Sequence, residues 1–290
     1  MTPSKAFPVP VVAFGPGSQP DEAPVEFMPM PSEMSTYAAP ALPEPEVLAA
    51  QAGALDVLQR TLAALRRRAA GGAAGQSCAV LELGHLGEAD RGLLNQVLGE
   101  GEVAAQLTGD HGIQAQESVF AGVWRVVYCE GGAAVRDTLE IGAFPRAIAA
   151  AARGTGQAMA SLDAPWPADT MNAPAVLQEL RERALAWRVG DAAHVVNLSL
   201  LPLSAGDIEL FEQQLGSGPV LVLSRGYGNC RIVNTCVAGI WRVTYFNSQD
   251  MIILDTLEVG EVPEVACAAP QDLEDSAERL HEVLQWVEAA

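Results

Sequence analysis

Bases are scarce in this chain. Its 290 residues hold 17 Lys and Arg against 36 Asp and Glu, a formal charge of -19. A field of that sign repels phosphate backbones, which excludes nucleic acid as a partner. Long apolar runs are missing too: none approaches the ~20 residues of a membrane-spanning helix, so no membrane insertion is expected. The N-terminus, MTPSKAFPVPVVAFGPGSQP, carries a single Lys and a short apolar patch broken by proline. It lacks the pattern of a signal peptide, which points to a cytoplasmic protein. The cysteines, Cys78, Cys129, Cys230, Cys236 and Cys267, are odd in number and irregularly spaced, against a disulfide framework. His85, His111, His194 and His281 are scattered. Without a C-x-x-C or H-E-x-x-H pattern, no metal or other cofactor is expected. No nucleophile stands in a recognised elbow and no phosphate-loop lysine is present, so the chain reads as a non-enzyme.

What the chain does have is a repeat. Residues 121–128 read AGVWRVVY and residues 238–245 read AGIWRVTY, an offset of 117; DTLEIG at 137–142 and DTLEVG at 255–260 follow at an offset of 118. Aligning 78–129 on 195–246 without gaps gives 17 identities in 52 positions, among them Asp90/Asp207, Gly101/Gly218, Val103/Val220 and Tyr128/Tyr245. An internal duplication of one module is the reading. The change of offset falls in a hairpin turn. With turns at Glu130–Gly132 and Asn247–Asp250, Arg125 faces Asp137 and Arg242 faces Asp255, while Trp124 faces Thr138 and Trp241 faces Thr256. The Arg–Asp pairs read as cross-strand structural pairs rather than a catalytic dyad, because a scaffold built twice is commoner than a site needed twice.

Residues 1–45 hold 11 of the 19 prolines and one base, Lys5. Such a segment does not repay its ordering entropy alone. It reads as an extended or disordered strap, free or docked on the body or on a partner. Leu48, Ala52, Leu55, Leu58, Leu62 and Leu65 predict a helix over 47–70. The first unit, 46–153, continues with a strand at 78–83, a helix at 88–98, a strand at 103–107, a hairpin of 119–128 with 134–141, and a short helix at 145–153. A linker, 154–173, rich in Gly, Pro and small residues, leads to the second unit, 174–290. That unit repeats the order: helix 174–187, strand 194–200, helix 204–215, strand 220–223, then 230–245 with a break, strand 251–259 and a closing helix 271–288. Each unit is thus α-β-α-β-β-β, and the fold class is α+β, two pseudo-repeated units with mainly antiparallel sheets.

A duplicated scaffold should show its site as asymmetry. The second unit has Arg225, Gly226, Tyr227, Gly228, Asn229, Cys230 and Arg231, then Asn234, Thr235 and Cys236, with Trp241 beyond. The first unit has Thr108-Gly109-Asp110-His111-Gly112 in the corresponding loop. Three readings stand. The glycines supply backbone freedom for a turn. The loop is part of a protein-binding surface, with Arg225 and Tyr227 as anchors. Cys230 and Cys236 contact a metal or cluster.

GPGSQP at 15–20, MPMPSEM at 28–34, RGYGNCRIVNT at 225–235, the paired VWRV and IWRV, ILDTLEVGEVPEV at 253–265 and DLEDSAERLHEVL at 272–284 together resemble the HupH/HyaF/HoxQ family of hydrogenase expression/formation proteins. The resemblance spans nearly the whole chain and is most specific in its C-terminal half. It implies a non-enzymatic accessory factor, a chaperone in the maturation of a membrane-bound, uptake-type nickel–iron hydrogenase. The implied client is the small-subunit precursor, which carries iron–sulfur clusters and a twin-arginine signal peptide; a thioredoxin-like accessory protein is the implied co-worker. The recurring pattern falls on Gly226, Tyr227, Gly228, Thr235, Trp241, Asp255, Glu258 and Pro263. An iron–sulfur carrier or repair factor using Cys230 and Cys236 is the alternative.

Overall fold

The strands that the 117-residue offset equates meet in the middle of the molecule. In the computed structural model, which describes residues 44–70, 78–154, 156, 159, 166–226 and 229–288, Val103–Leu107 (β2) and Val220–Ser224 (β7) pair antiparallel. Val103 stands opposite Ser224, Ala105 opposite Val222 and Leu107 opposite Val220, a register symmetric about the Ala105–Val222 pair. Pairing two edge strands in this way leaves neither with a row of unsatisfied backbone groups. The sequence reading expects separate sheets in the two units; the structure has one continuous antiparallel sheet. The strap expected over 1–45, apart from its last two residues, lies outside the described residues.

Around this junction the elements follow in chain order. Pro45–Ala50 (α1) and Ala52–Ala70 (α2) stand where one helix over 47–70 is expected. The break has a cause: the Asp90 carboxylate accepts the Ala54 N–H at 2.9 Å and so caps a fresh first turn. Next come Ala79–Glu82 (β1), Glu88–Leu98 (α3), β2, His111–Glu117 (β3), Val123–Glu130 (β4), Ala133–Ile141 (β5) and Arg146–Gly154 (α4). The second half has Ala173–Ala186 (α5), His194–Asn197 (β6) with a 3-10 turn at Leu198–Leu200, and Ala205–Leu215 (α6). It goes on through β7, Asn229–Asn234 (β8), Ile240–Phe246 (β9), Ile252–Val259 (β10), a 3-10 turn at Glu264–Ala266, and Pro270–Glu288 (α7). The strand order is β1-β5-β4-β3-β2-β7-β8-β9-β10-β6.

β3 is the strand the sequence reading leaves out. HGIQAQE alternates, with Ile113 and Ala115 buried, but Gly, Ala and Gln are weak strand formers and mask the pattern. The hairpin register also differs from expectation by two residues. Arg125 stands opposite Leu139 and Asp137 opposite Val127; Arg242 stands opposite Leu257 and Asp255 opposite Thr244. Trp124 and Trp241 likewise oppose Glu140 and Glu258 instead of the threonines. One residue of the difference comes from the turns, the first starting one residue later and the second ending one residue later, and the other from a β-bulge in each hairpin. A shift of two keeps every side chain on its expected face, because the strand period is two.

Alternation divides the core. One face buries Val103, Ala105, Ile113, Trp124, Val126, Val220, Val222, Cys230, Ile232, Trp241 and Val243 beneath α4 and the 3-10 turn at Glu264–Ala266, so one cluster bridges the junction. The other face is covered at its two ends. Leu81, Val123, Leu139 and Ile141 pack under α2, α3 and α7, while Ile240, Leu257 and Val259 pack under α5 and α6. The C-terminal helix α7 therefore returns to the first half, where it packs on α2. Gly122 marks the crossing: at φ +80 it lies so close to Leu273 of α7 that a Cβ would fall 2.1 Å from Leu273 Cδ2.

Candidate functional site

The hairpin joining β7 to β8 carries the candidate loop at the end of the central strands where β2 begins. The Arg225 N–H donates to the Glu102 carbonyl at 3.1 Å. Arg225, Gly226, Asn229 and Arg231 are exposed there. Tyr227 and Gly228 lie outside the described residues. Gly226 is not in the left-handed region; what its position rules out is bulk, since a Cβ would fall 2.0 Å from Glu102 Oε2. That atom is the end of a flexible side chain.

The remaining candidates face inward. Cys230 is buried on the bridging face. Asn234 is buried, its amide oxygen accepting the Val220 N–H at 2.8 Å. Thr235 Oγ1 donates to the carbonyls of Val237 and Ile240, closing the turn into β9. Trp241 is buried with its indole N–H on the Glu261 carbonyl at 3.2 Å. Strand alternation separates the two sets: Asn229 and Arg231 on one face, Cys230, Ile232 and Asn234 on the other.

Cys230 pairs with Tyr245 at the start of β8, while Cys236 follows the far end of the strand and donates to the Ser217 carbonyl at 3.4 Å. Six residues of extended chain separate them by about 20 Å, too far for one small cluster. Burial pushes the Cys230 thiol up to about 12, and Glu258 adds to the shift. Burial pushes Cys78 and Cys267 to about 12 as well. Thiols so held are poor nucleophiles and poor ligands. Among the described residues no three His, Cys, Asp or Glu side chains are grouped to hold a metal ion, and no helix is long and apolar enough to cross a membrane.

The Arg–Asp pairs form across the diagonal. Arg125 donates through Nε and NH2 to Asp137 at 3.1 and 2.6 Å, and through NH1 to Asn95 Oδ1. Arg242 grips Asp255 in the same bidentate way at 3.0 and 2.7 Å, and Thr244 Oγ1 adds a bond to Asp255 at 3.2 Å. Asp255, the largest influence on Arg242, holds its guanidinium further toward the charged form. Both pairs link neighbouring strands of the sheet. Asp137→Asn and Asp255→Asn should each cost about 1 kcal/mol in urea melts.

Two features are not among those that the sequence motifs mark. Tyr128 donates to Glu140 at 2.9 Å, and Glu140 also accepts the Arg146 N–H at 3.0 Å, which ties α4 to β5. At the opposite edge, Met251, Ile252, Ile253 and Leu200 form an exposed apolar corner. The signal for it was present in the repeat, because the matching residues of the first half are Ala133, Ala134 and Val135.

The family described as HupH hydrogenase expression protein, C-terminal conserved region, matches twice, over 52–166 and 170–287. The chain is 50% identical over 284 residues to the hydrogenase expression/formation protein HoxQ of Cupriavidus necator, covering 97% of this chain and 98% of that one. It is 44% identical over 282 residues to HupH of Rhodobacter capsulatus, covering 97% and 98%. It is 32% identical over 279 residues to the hydrogenase-1 operon protein HyaF of Escherichia coli, covering 95% and 96%. A solved structure of the hydrogenase expression protein HupH from Thiobacillus denitrificans aligns with a TM-score of 0.36 at 30% identity, covering 40% of this chain and 96% of that one. On two matches to one family profile, and on 50% and 44% identity to two of its members over nearly their full length, this chain belongs to the HupH family of hydrogenase expression/formation proteins.

Proposed function

We propose that the protein is a cytoplasmic, non-enzymatic chaperone in the maturation of an uptake-type nickel–iron hydrogenase, and that it holds the small-subunit precursor before export. The observation that carries this reading is the similarity to hydrogenase expression/formation proteins over nearly the whole chain. The architecture supports a holding role: a continuous sheet in which burial keeps the Cys230 and Cys267 thiols protonated, with exposed loops at its strand ends, offers surface rather than reactive groups. In this reading the chain is one module copied and fused, its two copies, 46–153 and 174–290, joined through β2 and β7. The exposed residues of the β7–β8 loop, Arg225, Asn229 and Arg231 with Tyr227 between them, contribute to the client contact. Residues 1–45 act as a strap, and a thioredoxin-like accessory protein works alongside.

Capture of the small-subunit precursor by the tagged full-length chain tests it. Arg225→Glu should reduce capture several-fold, and removal of residues 1–45 should weaken it. A strain lacking the chain should regain hydrogenase activity with the wild type, and equally with Cys230→Ser/Cys236→Ser. Loss of maturation in that double variant, with its fold intact, would favour the iron–sulfur carrier instead.

A further inference from the structure

Four large apolar side chains stand outside the core at the β10 corner of the sheet. Met251, Ile252 and Ile253 are 61%, 58% and 62% exposed, and Leu200 is 79% exposed. The first three close the β9–β10 hairpin and open β10. Leu200 ends the 3-10 turn that runs beside β10, where Ser199 Oγ accepts the Asp255 N–H at 2.8 Å. β6 pairs only with Thr256–Val259, so among the described residues Ile252–Leu254 has a strand neighbour on the β9 side alone. The bulge between Ile252 and Leu254 interrupts the ladder there. An irregular edge of this kind disfavours simple strand addition and leaves the side chains as the means of contact.

The first half shows that the fold does not require this apolar surface. At the same place in its hairpin, next to the same kind of bulge, it carries Ala133, Ala134 and Val135. The second half carries Met251 and Ile252 where the first has alanines, and Ile253 where the first has a valine. Large side chains left in water at one corner mark a place where another molecule removes them from it.

Charge decides between occupants. A second copy would bring together two chains that each carry -19, which long-range repulsion opposes. Asp250 adds an acidic group in the adjoining turn, Asp255 being already paired with Arg242, and residues 196–201 include no base. A partner bearing positive charge beside its apolar residues is attracted instead. We propose that the corner formed by Leu200, Met251, Ile252 and Ile253 is a docking surface for an apolar segment of a partner protein flanked by lysine or arginine. This deepens the client-binding reading above and rests on it for the partner's identity.

The test uses the full chain and a fluorescein-labelled peptide with a leucine, valine and alanine core and lysines at both ends, followed by anisotropy. A twin peptide with glutamates at its ends is the control. The lysine-ended peptide should bind at least ~10-fold tighter than its twin, a difference of about 1.4 kcal/mol. Ile252→Thr/Ile253→Thr should weaken binding by at least ~10-fold, while Val135→Thr in the first half leaves it unchanged. The replaced side chains are exposed, so an unchanged thermal melt confirms folding. Equal binding by the double variant, or equal binding of the glutamate-ended peptide, overturns the proposal. So does a dimer, measured by light scattering, that the double variant converts to a monomer. Peptide discrimination without capture of the small-subunit precursor would keep the surface and overturn the client reading, so the two fail separately.

Discussion

Asp207→Ala should be among the most damaging single substitutions in the chain, costing about 3–5 kcal/mol in denaturant melts. Asp207 is fully buried. Its Oδ1 accepts the N–H groups of Met171, Asn172 and Ala173 at 2.8, 2.9 and 2.8 Å, and Oδ2 accepts the Ser204 N–H at 3.1 Å. Ser204 Oγ returns a bond by accepting the Asp207 N–H at 3.0 Å. One carboxylate thus caps its own helix, α6, and also pins the start of α5, 34 to 36 residues earlier. Burial alone would raise its pKa; the four N–H groups outweigh that and hold it at about 2. Because the folded value lies below the ordinary 3.8, this stabilisation is complete above pH 3.8 and is lost as pH falls through about 2. Asp90, at the matching position of the first half, accepts the Ala54 N–H. Asp90→Ala should therefore cost less, about 1 kcal/mol. Equal losses at the two positions would show that the hydrogen-bond count does not set the effect.

The Asp90/Asp207 identity is visible in the sequence, but its meaning is not. A carboxylate that bonds to backbone more than thirty residues away leaves no local signature. The WRV hairpins are legible because β-branched and aromatic residues alternate between Gly-bearing turns. β3 is not, because Ala, Gln and Gly carry little strand preference of their own. That β2 and β7 join the halves in one sheet is also not legible: alternation tells which face a residue takes, not which strand lies beside it. The candidate loop divides on the same rule. Arg225, Asn229 and Arg231 face solvent, whereas Cys230, Asn234 and Trp241 support the core. A motif read along the chain mixes both sets, since successive strand residues point opposite ways. The exposed corner at Met251–Ile253 went unread for a related reason. Apolar residues beside a turn look like the start of a buried strand until the short β6 is seen to stop at Thr256.

Glu117 should give the β3–β4 turn a pH-dependent weakness that the matching β8–β9 turn lacks. It is buried at the end of β3, where Oε1 accepts the Gly122 N–H at 3.0 Å. Burial raises its pKa to about 7; Glu102 and Asp272 push the same way, while the Gly122 bond opposes them. Cys267 lies near enough to feel its charge, and Arg279 of α7 donates to the Val119 carbonyl in the adjoining turn. A carboxyl whose folded pKa lies above its ordinary 4.5 stabilises the native state only while protonated. Stability therefore falls as pH rises from about 4.5 to about 7 and levels off above that. The span corresponds to about 3 kcal/mol. In the second half the equivalent residue is Asn234, which accepts the Val220 N–H without acquiring charge. Glu117→Gln keeps an acceptor for Gly122 and removes the titration. Urea melts from pH 5 to pH 8 should show the variant gaining on the wild type with rising pH, to about 3 kcal/mol at the upper end. Because Leu273 presses α7 onto the same turn, amide exchange in 118–122 and in the first turns of α7 should accelerate over that range in the wild type only. Parallel stability profiles for the two proteins would mean that water reaches Glu117 in solution and that the carboxyl titrates with the exposed acids.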